Sequence, residues 1–250
     1  MSQYGAGQYG MQQWGYSWVA PDWDPPYLAN LDPANLSEGI AADKIISLDV
    51  LDAWLGVDFA TVLIYVEGNL AYTGLTNTFN APYDEAGSGR TLIPGGARYT
   101  IEKATDWDSY ENVTVRVVAD DLQTPPNHLD TTYSFRVVDY LGPELGAVSP
   151  TIGQIAVQVD ANITVTITDE QLLANNSILI EVDPGTGYEI AYQEGGAPAF
   201  KPGWNGPSSV VSIIPQGVEI TVDPLVDFQY GTEVNVRVTA FDVDGNPVRF

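Results

Sequence analysis

Apolar and polar residues alternate with a period of two along much of this chain. In "DKIISLDVLD" (43–52), Ile46, Leu48 and Val50 alternate with Ser47 and Asp49. In "DANITVTITD" (160–169), Ile163, Val165 and Ile167 alternate with Thr164 and Thr166. A period of two puts every apolar side chain on one face of a β-strand. The two segments are also copies of each other. Asp43 and Asp160, Asp52 and Asp169, and Pro33 and Pro150 are each 117 residues apart. "VLIYV" (62–66) matches "ILIEV" (178–182) at an offset of 116. "YTIEKATDWDSYENVTVRVVADD" (99–121) matches "ITVDPLVDFQYGTEVNVRVTAFD" (220–242) at an offset of 121. An offset that drifts by a few residues is what loop insertions between paired strands produce. The repeat gives two matching apolar faces, Val113, Val115, Val117 and Val234, Val236, Val238, with Arg116 and Arg237 on the opposite side.

Alternation interrupted by frequent turn signals predicts antiparallel strands, each with one buried face. The repeat length suits an immunoglobulin-like sandwich and is too long for a propeller blade. The predicted fold is all-β: two tandem immunoglobulin-like β-sandwiches over 27–139 and 140–250, joined by "VVDYLGPELGAVSP" and preceded by an extended arm over 1–26. The copies differ at their ends. Copy one continues with "HLDTTYSFRVVD", which turns Tyr133, Phe135 and Val137 to one side, whereas copy two reaches "AFDVDGNPVRF". A final strand is therefore expected to be missing from the second sandwich. A longer parent chain, strand donation by a neighbour or a different closure would each account for that.

The arm, "MSQYGAGQYGMQQWGYSWVAPDWDPP", differs in kind from the rest. It carries Tyr4, Tyr9, Trp14, Tyr16, Trp18 and Trp23 among glycines and glutamines, with no lysine or arginine. Glycine-rich chain loses much entropy on ordering, so it does not bury these rings against itself. Aromatic side chains that freeze few rotors are common interface anchors, which makes these six the candidate partner-binding residues.

Composition narrows the chemistry. The formal charge is -24, from 33 acidic and 9 basic residues, which disfavours nucleic acid and anionic membranes as partners. No run of about 18 apolar residues suggests membrane insertion. Cysteine is absent, which excludes disulfides and thiolate metal sites. The one histidine, His128, lies in "TPPNHLD" without a nucleophile motif nearby. No catalytic residues are assigned, and the expectation is a protein that is not an enzyme. Paired carboxylates for glycoside hydrolysis remain open, because their separation depends on folding. The one cofactor the residues suggest is calcium at "DVDGN", where Asp242, Asp244 and Asn246 offer alternating oxygens. Copy one has "DLQTPPN" at that place and breaks the spacing. The same residue types also favour a plain tight turn.

"SPTIGQIAVQVDANITVTITD" followed by "GVEITVDPLVDFQYGTEVNVRVTAFDVDGNPV" resembles the bacterial Ig-like repeats. In copy one, "ISLDVLDAWLGVDFATVLIYVEGNLAYTG" and "DTTYSFRVVD" resemble the subclass found in virion proteins of tailed phages. The resemblance covers about 27–250; copy one departs from it in the closing turn, and copy two lacks the final strand. It implies a non-enzymatic structural component of tail, neck, baseplate or capsid surface, assembled in the host cytoplasm. The arm would dock on other virion proteins, in multiple copies, and the sandwiches would project toward assembly partners or a host-surface ligand. The alternative is a fragment of a bacterial cell-surface adhesin that binds protein or carbohydrate. The absence of a secretory-type N-terminal segment and the aromatic arm point to the virion.

Overall fold

The computed structural model describes residues 22–249. Among them the chain is all-β, with no helix. The first half contains β1 (Tyr27–Asp32), β2 (Ser37–Ile40), β3 (Ile46–Leu51), β4 (Val57–Val66) and β5 (Asn69–Thr73). It continues with β6 (Thr78–Phe79), β7 (Gly89–Ile93), β8 (Gly96–Ile101), β9 (Asn112–Asp121) and β10 (His128–Val137). The second half contains β11 (Glu144–Ser149), β12 (Ile163–Thr168), β13 (Leu179–Asp183) and β14 (Glu189–Gln193). Its last strands are β15 (Val210–Ile214), β16 (Gly217–Val222) and β17 (Asn235–Thr239).

Each half pairs two sheets over its own core. In the first, β1-β3-β8-β7 faces β2-β10-β9-β4-β5-β6; in the second, β11-β12-β16-β15 faces β14-β13-β17. The predicted alternation fixes the faces. Ile46, Leu48 and Val50 of β3 enter one core with Val113, Val115 and Val117 of β9, all fully buried. Ile163, Val165 and Ile167 of β12 enter the other. Burying such a side chain contributes about 1.5–3 kcal/mol. The repeat is also a repeat of register. Ser47 pairs with Thr100 as Thr164 pairs with Thr221, and Ile64 pairs with Val117 as Ile180 pairs with Val238.

The two halves differ where β10 lies. Strand β9 is flanked by β4 and β10, whereas β17 pairs only with β13 among the described residues. Tyr133, Phe135 and Val137 of β10 seal the first core, and Trp107 meets Phe135 edge-on with ring centroids 6.1 Å apart. In the second half, Val238 is buried, Val234 half-buried and Val236 40% exposed. This corrects the expectation that Val234, Val236 and Val238 form a buried face like that of copy one. The alternation points these valines the right way, but burial also needs a covering strand. The same difference affects β2, which pairs in parallel with β10. The corresponding segment near 154–157 has no strand, and Ile155 within it is exposed.

One ion pair belongs to the first half alone. Asp49 on β3, 1% exposed, accepts from Arg98 Nε at 2.7 Å, Arg98 Nη2 at 2.9 Å and Asn30 Nδ2 at 2.7 Å. The Arg98 guanidinium holds the Asp49 carboxyl below its usual range against the opposing effect of burial, and Asn30 assists. Thr166 and Glu219 occupy the matching positions in the second half and face each other across β12 and β16.

Two outcomes follow. Val115→Asp places an unpaired charge in a closed core and costs about 4 kcal/mol or more, whereas Val236→Asp costs about 1 kcal/mol or less. Calorimetric melting of each variant measures the difference. Stability from the Asp49 pair is complete above the unfolded-state carboxyl pKa of about 3.9 and is lost as pH falls toward the depressed folded value. Arg98→Met therefore melts below the wild type at neutral pH, and the gap closes as the pH drops below about 4, as read by melting curves across a pH series.

Candidate metal centre

The same end of each sandwich gathers three buried aspartates. Asp22, Asp52 and Asp121 meet at the first, and Asp139, Asp169 and Asp242 at the second, with one carboxylate oxygen from each lying within 4.8 Å of the others. All six are between 1% and 6% exposed. Like residues come from like places. Asp52 and Asp169 follow β3 and β12, Asp121 ends β9 and Asp242 lies beyond β17. Asp22 and Asp139 lie on the segments leading into β1 and β11.

Local backbone hydrogen bonds hold one oxygen of each carboxylate. Asp52 Oδ1 accepts from the N–H groups of Trp54 (3.0 Å) and Gly56 (2.7 Å), and Asp169 Oδ1 from that of Gln171 (2.9 Å). Asp22 Oδ1 accepts from Asp24 N–H (3.0 Å), and Asp139 Oδ1 from Leu141 N–H (3.1 Å). Asparagine then ties the parts together. Asn127 Nδ2 donates to Asp121 Oδ2 (2.7 Å) and to the Asp22 carbonyl (3.2 Å). Asn246 Nδ2 donates to Asp242 Oδ2 (2.7 Å) and to the Asp139 carbonyl (3.1 Å). Their backbone N–H groups reach Asp121 Oδ1 (2.9 Å) and Asp242 Oδ1 (2.7 Å). The closing loops differ by two residues, yet they deliver the asparagine to the same contacts.

The charges are not balanced by protein cations. No lysine, arginine or histidine forms an ion pair with any of the six among the described residues. Asp22 Oδ2, Asp52 Oδ2, Asp139 Oδ2 and Asp169 Oδ2 are buried without a hydrogen-bond partner, as is Gln171 Oε1 in the Asp169 loop. Two carboxylates at this separation repel by about 3–4 kcal/mol at an effective dielectric near 20. Burial, followed by the charges of Asp139, Glu170 and Asp242, pushes the Asp169 carboxyl above its usual value, against the Gln171 N–H. Burial also opposes ionisation of Asp121, but the hydrogen bonds from Asn127 and Gln123 outweigh it and hold that carboxyl low. Oxygen donors alone, with no thiolate or imidazole, suit a hard cation.

The second centre lies at the junction of the two sandwiches. Ser109 Oγ, from the loop before β9, donates to Asp139 Oδ1 at 2.8 Å, and Tyr140 Oη donates to the Trp107 carbonyl at 3.1 Å. On the other side, Arg249 Nε donates to the Gly142 carbonyl at 2.8 Å. A Cβ on Gly142 would lie 2.0 Å from the Pro247 carbonyl oxygen, so only glycine allows the linker to lie against the closing loop.

The residues read from sequence are distributed unevenly. Asp242 and Asn246 belong to the second centre, but Asp244 faces solvent and lies outside it. The remaining carboxylates come from Asp139 and Asp169, on other segments. Asp22, placed by sequence in the arm, is instead packed into the first centre. Trp23 is 78% exposed, and Tyr4, Tyr9, Trp14, Tyr16 and Trp18 lie outside the described residues. His128 is on the surface, with Nδ1 2.5 Å from Asp120 Oδ1. A signal for the missed residues was present: Asp22 and Asp139 have the 117-residue separation of Asp52 and Asp169.

Asn127→Ala and Asn246→Ala each remove hydrogen bonds from a buried aspartate and cost their own sandwich about 1–2 kcal/mol. Native-state hydrogen exchange of β9 amides for the first variant, and of β17 amides for the second, reports the loss in the affected half only.

No protein-family model matches the chain, and no curated protein matches it. Among solved structures, CopC from Methylosinus trichosporium OB3b aligns with 46% of this chain and 96% of its own, at 15% identity and a TM-score of 0.30. Dimeric latent PorU from Porphyromonas gingivalis aligns with 90% of this chain and 20% of its own, at 13% identity and a TM-score of 0.31.

Proposed function

We propose that the chain is a non-enzymatic structural protein, a tandem of two immunoglobulin-like sandwiches that acts as a spacer within a tailed-phage virion. The junction carries the spacer part of this reading. Its linker is held from both sides, by Ser109 and Trp107 of the first sandwich and by Asn246 and Arg249 of the second. A linker fixed at both ends transmits position and orientation from one module to the next, which a freely jointed chain does not do. The carboxylates do come together, but they are shut away from solvent, where a sugar ring does not reach them. Two surface hollows among the described residues measure about 110 Å³ and 210 Å³, below the roughly 300 Å³ at which small-molecule pockets begin. The virion setting rests on the resemblance of residues 27–250 to Ig-like repeats of phage particles. The aromatic residues of the leading segment, Trp23 among them, would supply its attachment.

The docking segment is best tested as residues 1–21, because Asp22 belongs to the first centre. The truncated chain 22–250 is expected to melt like the full chain and to fail to enter particles when it replaces the full chain during assembly. Mass spectrometry of purified particles reads incorporation. Equal incorporation of both chains overturns the docking role. Absence of the full chain from particles, with recovery at the bacterial surface, overturns the virion setting in favour of an adhesin.

A further inference from the structure

The two aspartate centres contain more negative charge than their surroundings neutralise. Each brings three carboxylates to within 4.8 Å, with no lysine, arginine or histidine paired to them among the described residues. In each centre two Oδ2 atoms, on residues at least 94% buried, have no hydrogen-bond donor beside them. Buried polar atoms are nearly always paired, so four such orphans at two equivalent places indicate a missing partner. A partner that neutralises this charge is positive, accepts several oxygens at once and requires neither nitrogen nor sulfur.

We propose that each centre binds one calcium ion, through Asp22, Asp52 and Asp121 at the first and Asp139, Asp169 and Asp242 at the second. Calcium takes six to eight oxygen ligands, several carboxylates among them, in variable geometry. Magnesium keeps most of its water and uses one or two carboxylates, which fits a dry three-carboxylate cage poorly. At the second centre, Gln171 Oε1 is a further buried oxygen without a partner, two residues from Asp169. Because Asp139 lies on the linker and also accepts from Ser109, the ion at the second centre ties both sandwiches to the linker. At the first centre it fastens the segment carrying Asp22 onto the end of the first sandwich. Ion binding does not depend on where the tandem is used, so failure of the virion reading would leave it standing.

The test uses the full chain, stripped with chelator and titrated with calcium chloride alone by calorimetry. Two ions per chain are expected, one for Asp52→Asn or Asp169→Asn, and none for the double variant. Melting provides a second readout. Calcium raises the wild-type melting temperature by mass action. In chelator, Asp169→Asn melts above the wild type because it relieves repulsion; in calcium it melts below the wild type because it has lost the ion. A purely structural aspartate would lower melting equally in both conditions, and that result overturns the proposal. So does an absence of calcium binding by the wild type at about 10 mM, beyond the weakest extracellular calcium modules. Magnesium that raises melting as much as calcium at equal concentration overturns the calcium assignment.

Discussion

Carboxylates brought together away from water repel one another, and their desolvation deepens the penalty. The same end of each sandwich is arranged around that constraint. Each aspartate gives its Oδ1 atom to a backbone turn of its own or a neighbouring loop, and this holds the carboxylate in a fixed pose. Fixed carboxylates have little freedom to turn out into solvent and relieve their repulsion. The loops around β3, β9 and the entry to β1, and their counterparts in the second half, converge because these aspartates do. The junction between the sandwiches inherits its geometry from the same convergence, since Asp139 is both a linker residue and a member of the second centre.

Sheet registers explain why the convergence occurs twice. Residues 117 apart near the start of each copy, and 121 apart near its end, occupy the same rungs of their ladders. An aspartate that follows β3 therefore lies beside the one that ends β9, and the pair at the end of β12 and beyond β17 repeats this. Insertions between the copies fall in loops that do not alter the rungs. The closing loop shows how much variation the centre tolerates. "DLQTPPN" and "DVDGN" differ in length, yet Asn127 and Asn246 make matching bonds to an aspartate carboxylate and to a carbonyl of the segment that leads into the sandwich.

The strands and their inward faces were legible because alternation is a local property. A residue such as Val115 in copy one, or Val165 in copy two, needs only its neighbours to reveal which way it points. Coverage is not local. Val236 has the pattern of Val115 and differs because no strand equivalent to β10 lies beside it among the described residues. The centres were half legible for a similar reason. The D-x-D-x-N spacing at 242–246 suggests that one loop supplies the ligands, so it includes Asp244 and omits Asp139 and Asp169. In the folded chain the clustered carboxylates come from three separate segments, and only the repeat offset connects them. Asp22 was hidden by its company, since "APDWDPP" carries Trp23 and so continues the aromatic content of the segment before it.

The placement of the centres bears on what the tandem can do mechanically. A linker between two sandwiches usually bends unless its backbone groups are satisfied by both neighbours. Here the Gly142 carbonyl accepts from Arg249, the Asp139 carbonyl from Asn246, and the Asp139 carboxylate from Ser109. Gly142 lies so close to Pro247 that the linker has no room for a side chain at this point. A hinge motion would have to break these contacts together and expose carboxylates that are now buried. In the absence of a counter-ion, that exposure relieves repulsion and so favours opening. With a cation held among Asp139, Asp169 and Asp242, opening costs the ion its ligands. On the calcium proposal the same three side chains would set whether the joint is loose or stiff, and the decisive variable would be the charge placed between them.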